Sequence, residues 1–196
     1  MRVLHEILGK EKSSVWTWIK LAVRNAAKPS RILRCVFKVQ SVAEPARELT
    51  IEVEVNVSER NPTFELQSLP FAFSFRGKSR ATTIISYNIN EMLGTKLRAM
   101  FQRKKGRDLF DLYWALTAQA MVPVNAGAVL VAFTHYMQDE STTVPRSEFL
   151  AHLTSCLADK KGFCLDMAAL LKRSHDYDPV EAGEVVTQRL LNQLPE

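Results

Sequence analysis

The sequence predicts an α+β protein, with strands in its first half and helices in its second. Two observations carry this. Residues 48–58 (ELTIEVEVNVS) alternate polar and apolar side chains with a period of two, the mark of a strand with one buried face. From Ile89 onward the apolar residues change to the three-and-four spacing of helices and keep it to the C-terminus. The chain has 196 residues, 46% hydrophobic and 24% charged, which is the length and composition of one domain, or one domain with a small appendage. The change of period divides it into residues 1–90 and 91–196. With 7 Gly and 8 Pro, low-complexity and collagen-like readings are excluded.

Taken in order, residues 1–28 read as helical, with Val3, Leu4, Ile7 and Leu8 and then Val15, Trp18, Ile19, Ala22 and Val23 at helical spacing. Lys28-Pro29-Ser30 ends that pattern, because the residue before a proline is pushed out of helical geometry. Residues 32–42 (ILRCVFKVQSV) are strand-like, and Glu44-Pro45-Ala46 supplies a turn before the alternating strand. Asn61-Pro62 closes that strand, and two shorter ones are expected over 71–76 and 81–87. Helices fill the rest, with loops near Lys105-Gly106, 122–124, 139–145 and 177–179.

No run of 18 apolar residues is present, so no membrane-spanning helix is expected, and residues 1–20 lack a signal-peptide core. Three cysteines, Cys35, Cys156 and Cys164, show no paired spacing. These features predict a cytoplasmic protein with structural thiols, and Cys156 and Cys164 as small buried hydrophobes. Charge is uneven: residues 1–40 hold 9 basic and 2 acidic side chains, residues 91–107 hold 6 and 1, and residues 108–196 hold 6 and 12. A basic front suits phosphate-bearing partners, although such a surface is equally a solvated face.

Three places carry candidate chemistry. On the alternating strand, Ile51, Val53, Val55 and Val57 share one face, expected to pack on a core, and Glu52, Glu54 and Asn56 share the other. Paired carboxylates on a rigid strand suit a hard divalent cation such as Mg²⁺, and the same alternation is what a half-exposed strand displays. In residues 88–107 (NINEMLGTKLRAMFQRKKGR), Asn88 followed by Glu91 resembles a capping box. Leu93, Leu97, Met100 and Phe101 form the buried stripe, Lys96 and Arg103 lie two turns apart on one flank, and Arg98 lies elsewhere. Gly106 is expected to end this helix in a left-handed cap. A lysine point charge beside a forked arginine is what polyphosphate recognition requires. In residues 107–116 (RDLFDLYWAL), Asp108 and Asp111 share a helix face, with Arg107 just before them. A capping role would equally explain an acid at a helix start. Phe110, Tyr113 and Trp114 read as core or helix-contact residues.

Other motifs fail. Gly77-Lys78-Ser79 lacks the first glycine of a phosphate-binding loop and precedes a strand. His5, His135, His152 and His175 are scattered, which favours structural roles. Leu157, Leu165, Ala169 and Leu170 are expected as helix-core positions.

VEVNVSE at 53–59, EMLGTKLRAMFQRKKGRDLFDLYWAL at 91–116 and SHDYD at 174–178 together resemble the AbiEii/AbiGii toxin family of nucleotidyltransferases, the toxin half of bacterial type IV toxin–antitoxin and phage-defence systems. The resemblance runs from about residue 31 to the C-terminus and is most specific at Lys-Leu-Arg-Ala 96–99, Gln-Arg 102–103 and Arg-Asp-Leu-Phe-Asp 107–111. It implies a nucleotidyltransferase palm, a small mixed sheet flanked by helices, followed by a helical region. It implies transfer of a nucleoside monophosphate from NTP to an acceptor such as tRNA, with Mg²⁺, and an antitoxin encoded nearby. By position it makes Glu54 a metal ligand with Asn56 and Glu59 following, Lys96 the triphosphate lysine, and Asp108 and Asp111 the acidic pair near the reacting phosphate. Arg103 and Arg107 join Lys96 in phosphate binding.

The family's Gly-Ser turn and Asp-x-Asp pair have no counterpart, since Gly9 precedes Lys10-Glu11 and no aspartate occurs before Asp108. The chain is therefore expected to enter the fold after that motif and to leave apolar sheet surface exposed. Two alternatives follow: an inactive family member that binds nucleotide or RNA through segments 1–40 and 91–107, and an assembly partner whose sheet another chain completes.

Overall fold

The computed structural model describes residues 19–22, 32–40, 44, 47–56, 61–75, 77–117, 123–138, 142–171 and 176–196. The chain divides into two compact units, 1–61 and 62–196.

The first unit holds an antiparallel sheet in the order β1 (Ile19–Ala22), β2 (Ile32–Gln40), β3 (Glu48–Asn56). Ile19 pairs with Val39 and Ala22 with Val36, so residues 19–22 form an edge strand rather than part of the expected 1–28 helix. Pairing with β2 outweighs the local helical spacing there, as β structure depends on neighbours more than on propensity. The rest of the expected 1–28 helix lies outside the described residues. Between β2 and β3, Arg34 registers with Glu54 and Val36 with Glu52. Glu52 and Glu54 are exposed, while Val36, the register partner of Glu52, is buried. On the opposite face Val55 is 39% exposed, so the face expected to be sealed against a core is open at that position.

The second unit opens with β4 (Gln67–Phe75) and β5 (Lys78–Ser86), which form a hairpin turning at Gly77. All described strand pairings are antiparallel, and a parallel pair, which the implied mixed sheet requires, is not among the described residues. Helices follow: α1 (Ile89–Gln102), α2 (Gly106–Thr117), α3 (Ala126–Gln138), α4 (Arg146–Ala158) and α5 (Pro179–Arg189), then a 3-10 turn at Leu191–Gln193. The change from strand to helix falls at Ile89, and the class is α+β.

Leu93, Leu97 and Met100 form the buried stripe of α1, with Phe101 half-buried beside it. They pack with Leu109 and Leu112 of α2, Phe133 of α3 and Phe149 of α4 in one core. Gly94 sets how closely α1 and α3 approach: a Cβ there would lie 2.6 Å from the Ala132 Cβ and 2.9 Å from the Phe133 nitrogen, inside van der Waals contact.

After α4 the chain does not continue as helix. Asp159 accepts the Gly162 amide at 2.8 Å, and the turns that follow bury Phe163 and Met167 instead of the expected residues. Leu165 and Leu170 are 60% and 68% exposed, Ala169 is exposed, and Leu157 alone of the four packs on the core. Cys156 is fully buried and Cys164 packs beside the core, as expected. Burial raises the Cys156 thiol pKa, which keeps it in the unreactive thiol form. The Cys35 side chain lies outside the described residues. His152 is structural: Nε2 sits 3.1 Å from the Met100 carbonyl oxygen, and the ring packs on Phe101.

Candidate active site

The end of α1 and the start of α2 bring four charged residues together. α1 closes at Arg103, whose extended backbone leaves the helix and whose N–H donates to the Ala99 carbonyl at 2.9 Å. Gly106 is therefore not the left-handed cap expected of it. It opens α2, and a Cβ there would collide with the Phe163 carbonyl oxygen, so close packing of the helix start on the 163–166 turn is what requires glycine. The Arg107 amide donates to Asp166 Oδ2 at 3.1 Å, and the Arg107 side chain is exposed.

This short corner aims Arg103 back at the first turn of α2. The guanidinium donates through Nε to Asp108 Oδ2 at 2.7 Å and through Nη2 to Oδ1 at 2.8 Å, a bidentate fork. Lys96, two turns earlier on α1, donates to Asp108 Oδ1 at 3.3 Å and pairs with Asp111 Oδ2 at 2.6 Å. The Asp108 side chain is 0% exposed, whereas Lys96, Asp111 and Arg103 are 34%, 44% and 49% exposed. Its hydrogen bonds to Asp108 raise the Arg103 pKa, against the opposing effect of burial. Asp108 thus does not cap its helix: it is a buried anion holding two cations at the surface. Among the described residues, the contacts to Asp108 and Asp111 engage two of the five guanidinium donors and two of the three ammonium donors.

The quartet fits phosphate better than a resident metal. Asp108 gives both oxygens to cations, and one Asp111 oxygen is likewise engaged. A hard cation needs those oxygens as ligands. Among the described residues there is no group of three or more His, Cys, Asp or Glu placed to hold a metal ion. Glu54 belongs to the first unit, exposed and in register with Arg34.

One buried acid has a role the sequence reading missed. Asn88 caps α1 by accepting the Asn90 amide at 2.9 Å, yet Glu91 does not close the capping box. Its carboxylate is 1% exposed and accepts the Thr63 and Phe64 amides, each at 2.9 Å, and the Tyr136 hydroxyl at 2.6 Å. Arg98 lies 5.2 Å from the Tyr136 ring centroid, a cation–π distance. Beyond Asp111, the aromatic side of α2 packs with Tyr177: Phe110 meets it edge-on at 5.1 Å and stacks on Trp114 at 5.9 Å. Burial raises the Tyr177 pKa.

Residues 19–182 match one family model, described as nucleotidyl transferase AbiEii toxin of type IV toxin–antitoxin systems. The chain belongs to the AbiEii family. The match takes in the Glu54 strand as well as the whole quartet, so the family to which the motifs pointed is the one found. AbiEii proteins are nucleotidyl transferases that act as toxins opposite an antitoxin. No curated protein and no solved structure matches this AbiEii chain. Among its described residues no helix is long and apolar enough to cross a membrane.

Proposed function

We propose that this AbiEii chain transfers a nucleoside monophosphate from NTP to tRNA, with the triphosphate held by Lys96 and Arg103. The observation that supports this most is the buried Asp108 carboxylate, which holds two partly exposed cations side by side. Phosphoryl transfer depends chiefly on positioning and on neutralising phosphate charge. An acceptor oxygen would attack the α-phosphorus, a new P–O bond forming as the α–β bond breaks and pyrophosphate leaves. In this scheme Lys96 and Arg103 stabilise charge on the departing phosphates. Asp111, the accessible carboxylate, releases Lys96 to the substrate and lies nearest the reacting group, and Asp108 acts through the cations it positions. Arg107, exposed at the head of α2, is a further phosphate contact.

Glu54 is our candidate ligand for Mg²⁺. Residues 1–90 are read as the remainder of the palm and 91–196 as the region carrying the Lys and Arg-Asp motifs. The type IV setting supports bacterial phage defence in the cytoplasm, with the antitoxin encoded nearby.

The test incubates the purified chain with each labelled NTP, Mg²⁺ and total tRNA. Incorporation that disappears in Lys96→Ala and on chelation of Mg²⁺ is the expected result. Absence of incorporation with every NTP would overturn the transferase reading for this chain.

A further inference from the structure

The β4–β5 hairpin presents an aromatic and cationic face that the proposed transfer chemistry does not use. Direct register partners share a face in an antiparallel pair. Leu69 pairs with Ile84, Phe71 with Thr82, Phe73 with Arg80 and Phe75 with Lys78, so three phenylalanines and two cations lie on one side. The other side carries Ser68, Pro70, Ala72 and Ser74 opposite Ile85, Thr83, Ala81 and Ser79. Phe71, Phe73 and Phe75 are 45%, 50% and 65% exposed, and every residue of β4 is exposed. The Phe71 and Phe73 ring centroids stand 6.0 Å apart. A contiguous row of exposed large apolar side chains, Leu69, Phe71, Phe73 and Phe75 beside Ile84, is the kind of surface that marks an interaction site.

We propose that this face binds single-stranded RNA, the bases stacking on Phe71, Phe73 and Phe75 and the phosphates meeting Lys78 and Arg80. Charge selects this occupant. Residues 67–86 contain three cations, Arg76, Lys78 and Arg80, and no acidic side chain. Two copies packed through this face would set Lys78 and Arg80 against like charges. Lys78 and Arg80 are also not gathered in a rim: each stands opposite a ring across the ladder, at about 5 Å between Cβ atoms. A base on the ring therefore carries its phosphate to the neighbouring cation. Successive rings on one strand face lie about 7 Å apart, a row of platforms of the kind by which sheets take unpaired bases. The choice of RNA over DNA rests on the acceptor proposed above; the binding surface itself does not require transfer.

The experiment measures fluorescence anisotropy of a labelled single-stranded RNA oligonucleotide with the full chain, without NTP, across a salt series. Phe73→Ala should weaken binding about tenfold or more at an unchanged salt slope. The double variant Lys78→Ala/Arg80→Ala should lower the slope by about 0.7 for each cation removed. If Phe73→Ala loses its fold by thermal melting, Phe75→Ala at the exposed tip carries the same expectation. Wild-type affinity in all these variants overturns the proposal. So does size-exclusion behaviour as a dimer that Phe73→Ala converts to monomer, which assigns the face to a second copy. Tighter binding of the matching DNA overturns the assignment to RNA. Oligonucleotide binding that persists without nucleotide incorporation leaves this inference standing and removes the transferase reading alone.

Discussion

The two carboxylates buried among the described residues, Glu91 in the first turn of α1 and Asp108 in the first turn of α2, are held by opposite means. Glu91 is surrounded by neutral donors, two backbone amides and a phenol hydroxyl. Asp108 is held by two cations whose other sides reach solvent. A carboxylate satisfied by backbone amides fixes the path of the chain, here the segment just before the hairpin. A carboxylate satisfied by arginine and lysine fixes where positive charge is offered. Burial alone does not separate them, since Glu91 is 1% and Asp108 0% exposed. The partners do, and they assign the first acid to the fold and the second to the proposed chemistry.

That contrast makes opposite demands on activity and stability. Lys96→Ala should cost most in activity, lowering nucleotide transfer about 10²–10³-fold, as loss of one preorganised charge donor does. Its melting temperature should hardly move, because Asp108 keeps both Arg103 hydrogen bonds. Glu91→Ala should do the reverse. It strands two half-buried amides and a buried hydroxyl, at about 3 kcal/mol, and lowers the melting midpoint by roughly 6–12 °C. Below that midpoint its transfer rate per folded molecule should match the parent. A fall in that rate would erase the distinction between the two buried acids.

The same contrast explains what was legible in the sequence. Lys96, Arg103, Asp108 and Asp111 lie within a short stretch joined by one tight corner, so helical spacing and motif order brought them onto neighbouring flanks. Glu91 was read as a local cap because its partners, Tyr136 and the 63–64 backbone, come from distant parts of the chain. The helix after α4 failed for a related reason. Leu165 and Leu170 have helical spacing, but the Asp159 turn and the burial of Phe163 and Met167 redirect the chain, and spacing does not report which apolar residues a turn selects. At Ile19–Ala22 a strand pairing with β2 decided the structure, again a non-local contact.

Asp108→Asn sharpens the comparison next, keeping shape while removing charge. The amide cannot accept the full fork from Arg103, so stability should fall by about 1–3 kcal/mol, less than for Glu91→Ala because Arg103 can turn to water. Unlike Glu91→Ala, it should also raise the NTP KM, since Lys96 and Arg103 lose the group that aims them. An unchanged KM would reduce Asp108 to a structural residue like Glu91.

Arg103→Lys makes the smallest and most discriminating change. It preserves the positive charge and replaces a planar fork with a single point donor. Since Arg103 is half exposed, the stability loss should be about 1 kcal/mol or less. If Asp108 serves to present a geometrically fixed guanidinium to phosphate, KM for NTP should still rise several-fold, and kcat less. If the corner needs only positive charge, KM stays at the parental value and the fork is merely how a buried aspartate is neutralised. Steady-state transfer by Arg103→Lys across NTP concentrations therefore separates geometry from charge at the one residue where both are on offer.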